Sequence, residues 1–363
     1  MRIAIDAREL GGQPTGVGRY LGEILRAWGA MPEARQHDYI FCAPAAMTCT
    51  GPLRSTTAIE RGAGTWWEQG ALPRLARAAR AHVLFCPGYT GPVFDSTPLV
   101  VAVHDVSFAA HPEWFGWREG LRRRVITRAS ARRAARVLTL TRFAKREIVE
   151  RLGVPEDRIE VVHPGVTSIG HGSGPGVRHA SATGASEALV LYVGSIFNRR
   201  HVPETIKGFE RLARRRPEAS LTIVGDNRTF PRIHLDQVAL DAQRVRLLAF
   251  VPDDVLGELY RRARAFVFLS EYEGFGLTPL DALAAGVPVV MLDTPVAREV
   301  FGNAAFYVGA PDPRLVEAAL ERALFDDDAR RNVLHEAAGV VSRYSWSTCA
   351  RRVLDVLQSV GSG

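Results

Sequence analysis

Cysteine is scarce in this chain. Cys42, Cys49, Cys86 and Cys349 are the only four in 363 residues, with no Cys-x-x-Cys spacing and no histidine cluster beside them. That pattern excludes a disulfide framework and gives no support to a zinc site. Two of the four sit in apolar strand patterns, where buried thiols are common, so a reducing, cytoplasmic setting is expected. No apolar run reaches the ~18 residues that a membrane-spanning helix needs. The N-terminal stretch Met1-Arg2-Ile3-Ala4-Ile5-Asp6 reads as a strand ending in an acid rather than as a signal peptide. Internal repeats are missing, and no nucleic-acid module accompanies the basic residues, so nucleic acid is not an expected partner.

What remains is an ordinary globular composition, 47% hydrophobic and 23% charged, in a chain long enough for two domains. Apolar strand patterns fall at 2–6, 39–43, 82–86, 99–104, 137–141 and 159–162, and again at 189–193, 221–224, 245–250, 265–269 and 289–292. Helical stretches separate many of them, which marks parallel βαβ units. Between the halves, residues 166–187 are rich in Gly, Ser, Thr, His and Ala and lack periodicity, as a linker or loop would. The expected class is α/β: two doubly wound, Rossmann-like domains over 1–166 and 188–344, joined by a linker at 167–187 and facing a central cleft. An amphipathic helix over 345–363 is expected to pack back toward the N-terminal domain.

Charge is placed unevenly. Residues 1–166 carry 23 Lys/Arg against 16 Asp/Glu, and the rest of the chain balances. Between Arg118 and Arg146 there are eleven basic residues and one acid, Glu119. Arg124, Arg128, Arg132 and Arg136 recur every four residues and predict a helical stripe. Such a stripe suits anionic lipid headgroups or a phosphate-bearing acceptor; a solvated helix face is the plain alternative.

The stretch Ser270-Glu271-Tyr272-Glu273-Gly274-Phe275-Gly276-Leu277-Thr278-Pro279-Leu280-Asp281 carries the chemistry. It leaves a buried-strand pattern and enters a small-residue helix that stops at Gly286-Val287-Pro288. A helix N-terminus behind a glycine turn offers backbone N–H groups and a positive dipole end to a phosphate. Carboxylates at Glu273 and Asp281 suit sugar or ribose hydroxyls, so the stretch reads as a nucleotide-sugar site. Capping alone would instead make Thr278 the N-cap, Pro279 the first helical residue and Asp281 the partner of a capping box.

Other pieces adjoin strand ends. Asp6 leads into a small-residue loop from Gly11 to Tyr20, either a site loop or a plain connection, and its glycine spacing is wrong for a dinucleotide fingerprint. Arg199 and Arg200 follow the 189–193 strand, where planar guanidinium forks suit a diphosphate. His104 closes the 99–104 strand, where it could donate to a sugar hydroxyl or stabilise developing charge. Asp253-Asp254 and Asp326-Asp327-Asp328 read as caps or solvated faces, and no metal is assigned.

Together these segments resemble the retaining glycosyltransferases of family 4, which have the GT-B fold. The resemblance rests on Pro14-Thr15-Gly16-Val17-Gly18-Arg19-Tyr20, Val103-His104-Asp105, Gly194-Ser195-Ile196-Phe197-Asn198-Arg199-Arg200, Phe250-Val251-Pro252-Asp253, the Glu273–Asp281 stretch and Tyr344-Ser345-Trp346. The family's two glutamates keep their spacing, but the second is Asp281, one methylene shorter. Arg200 replaces a commoner lysine, and His201 stands where glycine or asparagine is commoner. The resemblance implies that Arg199 and Arg200 neutralise the donor diphosphate with N–H groups near Leu277 and Thr278. It implies that Asp281 holds the ribose, that backbone near Val251 meets the base, and that Glu273 orients the sugar with the Gly274, Phe275 and Gly276 backbone. Gly16 would let a loop approach the diphosphate, and His104 would sit beside the sugar.

Trp66-Trp67-Glu68-Gln69, Cys86-Pro87-Gly88-Tyr89 and His111-Pro112-Glu113-Trp114-Phe115 look like the mannosyltransferase branch of bacterial surface polysaccharides. The implied reaction is retaining hexosyl transfer, with GDP-mannose as first donor (a GDP- or UDP-linked sugar in general) and no metal or other cofactor. The implied acceptor is a glycan or lipid-linked glycan, with peripheral docking on the inner face of the cell membrane. A non-catalytic glycan- or nucleotide-binding protein and a same-fold nucleotide-sugar epimerase are the rival readings.

Overall fold

The structure is a computed structural model that describes residues 1–11, 15–46, 52–167, 188–239, 241 and 243–362. Most of the 166–187 segment therefore lies outside the described residues, as do Cys49 and the Gly12–Pro14 part of the N-terminal loop. The chain divides into two compact units, one of Met1–Gly165 with Tyr344–Gly363 and one of Val166–Arg343.

The first unit is built on seven parallel strands: β1 (Arg2–Asp6), β2 (Asp38–Ala43), β3 (Arg54–Ile59), β4 (Val83–Cys86), β5 (Leu99–Ala102), β6 (Arg136–Thr139) and β7 (Ile159–Val161). Their order is β3-β2-β1-β4-β5-β6-β7, and every pairing is parallel. The second unit holds β8 (Ala188–Val193), β9 (Ala219–Val224), β10 (Val245–Leu248), β11 (Ala265–Phe268), β12 (Val289–Leu292) and β13 (Phe306–Val308), in the order β10-β9-β8-β11-β12-β13, again all parallel. Near-continuous apolar strands are what burial on both faces demands, and β4, β5, β8, β11 and β12 are buried along their whole length. In each sheet the strand order reverses direction once, at β1/β4 and at β8/β11. Ligands of doubly wound sheets bind beyond the strand C-termini at such a reversal.

Two strands escaped the sequence reading. β3, Arg-Ser-Thr-Thr-Ala-Ile, is an edge strand whose side chains are almost all exposed, so no apolar pattern marks it. β13 has three residues, too few for a period. Two others are shorter than expected: β5 stops at Ala102, leaving His104 beyond the strand, and β10 stops at Leu248. The four-arginine helical stripe is also corrected. The helix is Trp117–Arg133, Ala134 ends it, and Arg136 opens β6 with its guanidinium on the Ala135 carbonyl. Only Arg124, Arg128 and Arg132 share the helix.

The C-terminal helix Trp346–Gly361 belongs to the first unit and packs on the Gly16–Ala30 helix. Fully buried Trp28 donates its indole Nε1–H to the Ala350 carbonyl at 2.8 Å. Its ring stacks on Tyr39 at 5.3 Å. Truncating Trp28→Ala removes a large core side chain and leaves that carbonyl unpaired. We expect a loss of about 3–5 kcal/mol in denaturant-unfolding stability. A loss under about 1 kcal/mol would mean that the contact holds little of the C-terminal helix in place.

Candidate functional site

At the β8/β11 reversal the sequence brings two loops together. Residues 194–201 leave β8 and residues 269–276 leave β11, and backbone groups join them: Glu271 N–H donates to the Arg199 carbonyl at 2.9 Å. Arg199 answers with its Nε–H on the Tyr272 carbonyl at 3.1 Å and lies over the Phe197 ring at 4.5 Å. The planar fork is thus oriented before any ligand arrives.

Arg200 is held more tightly. Its Nε and Nη2 both reach Glu273 Oε1 at 2.8 Å, and its Nη1 donates to the Ser195 carbonyl at 2.6 Å. The guanidinium also lies 4.8 Å from the Phe268 ring centre. Burial alone would lower the proton affinity of Arg200; the Glu273 carboxylate outweighs that and raises it. Gly194, at φ +143, makes room, because a Cβ there would come within 2.8 Å of Arg200 Nη1. Ser270 Oγ–H donates to the same Glu273 Oε1 at 2.8 Å. Among the described residues nothing is hydrogen-bonded to Oε2, which leaves that oxygen available to a hydroxyl. Ser270 is a positioning residue that the sequence reading passed over. Its signal was the Ser-x-x-Glu spacing, which is common at turns. A small recess beside Glu273 is lined by Ser270, Phe275, Gly276, Met291 and Thr294.

The capping alternative for this stretch is not realised. The helix runs Leu277–Ala284, so it begins before Thr278, and its cap is Gly276 in a left-handed conformation, φ +100, with no side-chain cap. Gly276 supplies the turn, and among the described residues no side chain is hydrogen-bonded to the first-turn N–H groups of Leu277 and Thr278. Asp281 is on the next turn, nearly buried, and accepts the Thr167 N–H at 3.3 Å. Val251 stands past β10, at the same end of the sheet and two strands from β8. Among the described residues no group of three His, Cys, Asp or Glu side chains is arranged to hold a metal.

Gly16 and His104 belong to the other unit. The helix there begins at Gly16 rather than after Tyr20, because Thr15 caps it: Thr15 Oγ1 accepts the Gly18 N–H at 2.9 Å. A Cβ at Gly16 would meet nothing within 4 Å, so packing inside this unit does not require glycine there. His104 is buried between Tyr20 and Tyr89, with ring centres at 4.9 and 5.3 Å. Its Nε2 lies 2.7 Å from the Pro87 carbonyl, so that nitrogen carries the hydrogen. Burial lowers its proton affinity despite the Pro87 bond, which keeps the ring neutral. With Nε2–H on the Pro87 carbonyl, the remaining nitrogen, Nδ1, is an acceptor.

The first unit has its own fixed charges at β1/β4. Arg8 Nη2 meets Asp6 at 2.6 Å and Glu68 at 2.7 Å, with the Trp67 ring at 5.1 Å. Thr90 Oγ–H adds a bond to Glu68 at 2.6 Å.

The Glycosyltransferase Family 4 model matches residues 14–168, and the Glycosyl transferases group 1 model matches residues 178–339. The chain belongs to this glycosyltransferase family. It is 27% identical over 263 residues to an Escherichia coli O-antigen chain mannosyltransferase B, covering 70% of this chain and 69% of that protein. It is 26% identical over 224 residues to the Salmonella typhimurium O-antigen chain mannosyltransferase RfbU, covering 61% and 59%. The solved structure of Anabaena HepE in complex with UDP and glucose superposes with a TM-score of 0.71 at 16% identity, over 99% of both chains. The fold is therefore GT-B, and the glycosyltransferase occupies its two parallel-sheet domains.

His201 explains one departure from the family pattern. It adopts φ +46, a left-handed conformation that favours glycine or asparagine. Its ring compensates by bridging Glu271, through Nε2, and Glu204, at 3.7 Å from Nδ1. Burial lowers its proton affinity, but the two carboxylates outweigh that and raise it; Glu204 is correspondingly lowered by the His201 hydrogen bond. A raised histidine contributes stability that is complete below its ordinary range and lost as pH rises through the folded value. The melting-temperature advantage over His201→Gln should therefore be full at pH values below the ordinary histidine range and shrink as pH rises above it. A pH-independent difference would show that the ring acts by packing alone.

Proposed function

We propose that this glycosyltransferase is a retaining hexosyltransferase that moves mannose from GDP-mannose to a glycan or lipid-linked glycan of a surface polysaccharide, without a metal. The observation that carries this reading is the Arg200–Glu273 pair at the β8/β11 reversal, beside the uncapped N-terminus of the 277–284 helix. Transfer breaks the bond from the sugar's anomeric carbon to the diphosphate oxygen, so negative charge grows on the departing diphosphate. Arg199, Arg200 and the first-turn N–H groups are fixed dipoles and cations of the right sign to stabilise it. Fixed groups need no reorganisation as the charge develops, which is the main catalytic benefit.

Glu273 has two tasks in this scheme. Oε1 holds Arg200, while Oε2 accepts hydroxyl hydrogens of the transferred sugar, with backbone around Gly274–Gly276 alongside. Asp281 takes the ribose, and the backbone at Val251 the base. The acceptor oxygen bonds to the anomeric carbon on the face the diphosphate leaves, and its proton passes to the departing phosphate oxygen. Configuration is then retained and atoms balance without a protein nucleophile. The choice of mannose leans on the two O-antigen mannosyltransferases among the relatives.

Melting curves of the purified protein with GDP, UDP, ADP and their sugars test the donor. A ligand of the native state adds ~1.4 kcal/mol for each tenfold excess over its dissociation constant, so GDP and GDP-mannose should give the largest shift. A larger shift with UDP would replace the base, and no shift with any would overturn the donor site.

Substitutions test the chemistry. Glu273→Gln keeps the side chain's shape and should lower turnover roughly 100-fold or more. Arg199→Ala should do the same, with a modest fall in melting temperature from the lost bond to the Tyr272 carbonyl. Full activity in the Arg199→Ala/Arg200→Ala double variant would remove the diphosphate assignment.

A further inference from the structure

His201 stands at the joint between the turn that carries Arg199 and Arg200 and the helix that follows. The turn is Asn198–Arg200 and the helix is Val202–Ala213. The His201 carbonyl accepts the Thr205 N–H at 2.9 Å and the Thr205 hydroxyl at 3.1 Å, so the helix fixes the backbone of the joint. Glycine or asparagine would suit its φ of +46 better, and what histidine adds is its ring.

The two ring nitrogens face carboxylates on two different elements. Nε2 is bonded to Glu271, in the loop that leaves β11, and Nδ1 lies 3.7 Å from Glu204, in the first turn of the helix. The ring therefore joins the helix to the loop, beside the bond from Glu271 N–H to the Arg199 carbonyl. Glu273 is two residues farther along the same loop. A neutral imidazole has one N–H and one lone pair, so it donates to one of these carboxylates and turns its lone pair on the other. The imidazolium donates to both. Proton uptake closes the tie, and proton loss opens one side of it. The ring is 18% exposed, so water screens the tie only in part. Both carboxylates favour the charged ring and outweigh its burial. Neighbouring cations act elsewhere: Lys207 on Glu204, Arg200 on Glu273 and Arg199 on the Tyr272 carbonyl.

We propose that His201 is a positioning residue whose imidazolium latches the 269–276 loop to the 202–213 helix, setting Glu273 for the nucleotide-sugar. When the ring is neutral the loop loosens and the donor binds more weakly. The latch belongs to the loop and helix themselves; its effect on binding rests on the donor reading above.

Hydrogen exchange and GDP-mannose binding, measured on the full chain below and above the ordinary histidine range, test it. The diphosphate of a nucleotide-sugar takes up no proton there, so the ligand's charge is constant. At the higher pH the wild type should bind roughly threefold to tenfold more weakly, the worth of about one hydrogen bond. Exchange at 269–276 should quicken once intrinsic rates are allowed for. His201→Asn keeps a residue suited to the backbone and removes the latch. At both pH values it should behave as the wild type does at the higher one, with a matching melting temperature there. Glu271→Gln should flatten the profile as well. Equal GDP-mannose affinity of the wild type at both pH values, or the same pH profile in His201→Asn, would overturn the proposal. Exchange that depends on pH in the wild type but not in His201→Asn, with no GDP-mannose bound at either pH, would uphold the latch and remove the donor reading instead.

Discussion

The Arg200–Glu273 ion pair is the interaction on which the second unit's functional end depends. Two loops leave adjacent central strands, each anchored by buried apolar side chains, Ile196 in one and Tyr272 and Phe275 in the other. The pair ties them with several hydrogen bonds in a space walled by Phe197 and Phe268. A largely buried ion pair is a weak source of net stability, because desolvation consumes most of the Coulombic gain. Its effect is geometric: removing one partner would strand a charge, so the loops hold a single arrangement. Preorganised charge of this kind is what transfer to or from a diphosphate needs.

The first unit repeats the device at the corresponding place. Arg8 is clamped between Asp6 and Glu68 with Trp67 against its guanidinium, as Arg200 is between Glu273 and phenylalanine rings. Burial lowers Arg8's proton affinity, and Asp6 and Glu68 more than restore it. Both clamps lie where the strand order reverses, the one position in a doubly wound sheet where neighbouring loops diverge and leave a crevice. Topology creates the gap, and a charged residue braced by an aromatic ring fixes its walls.

Much of this was legible in the sequence for identifiable reasons. Strands buried on both faces announce themselves as apolar runs, so eleven of thirteen could be located; β3 is exposed and β13 too short. The 270–281 stretch was legible because a glycine turn before a helix has few other uses. The helix start was not, because Thr278-Pro279 satisfies local capping rules that Gly276 overrides from two residues upstream. His104 could be placed at a strand end, but its tautomer depends on the Pro87 carbonyl, a contact between two strand ends that no local pattern encodes. Arg136 completed a four-residue rhythm by coincidence, since Ala134 had already ended the helix.

The arginines of this protein then fall into two groups by what they cost. Arg8 and Arg200 are desolvated, and their geometry is exchanged for the free energy of burying charge. On the 117–133 helix Arg123 pairs with Glu119 and Arg133 donates to the Asp95 and Thr97 carbonyls, whereas Arg124, Arg128 and Arg132 meet no carboxylate among the described residues and slightly oppose one another.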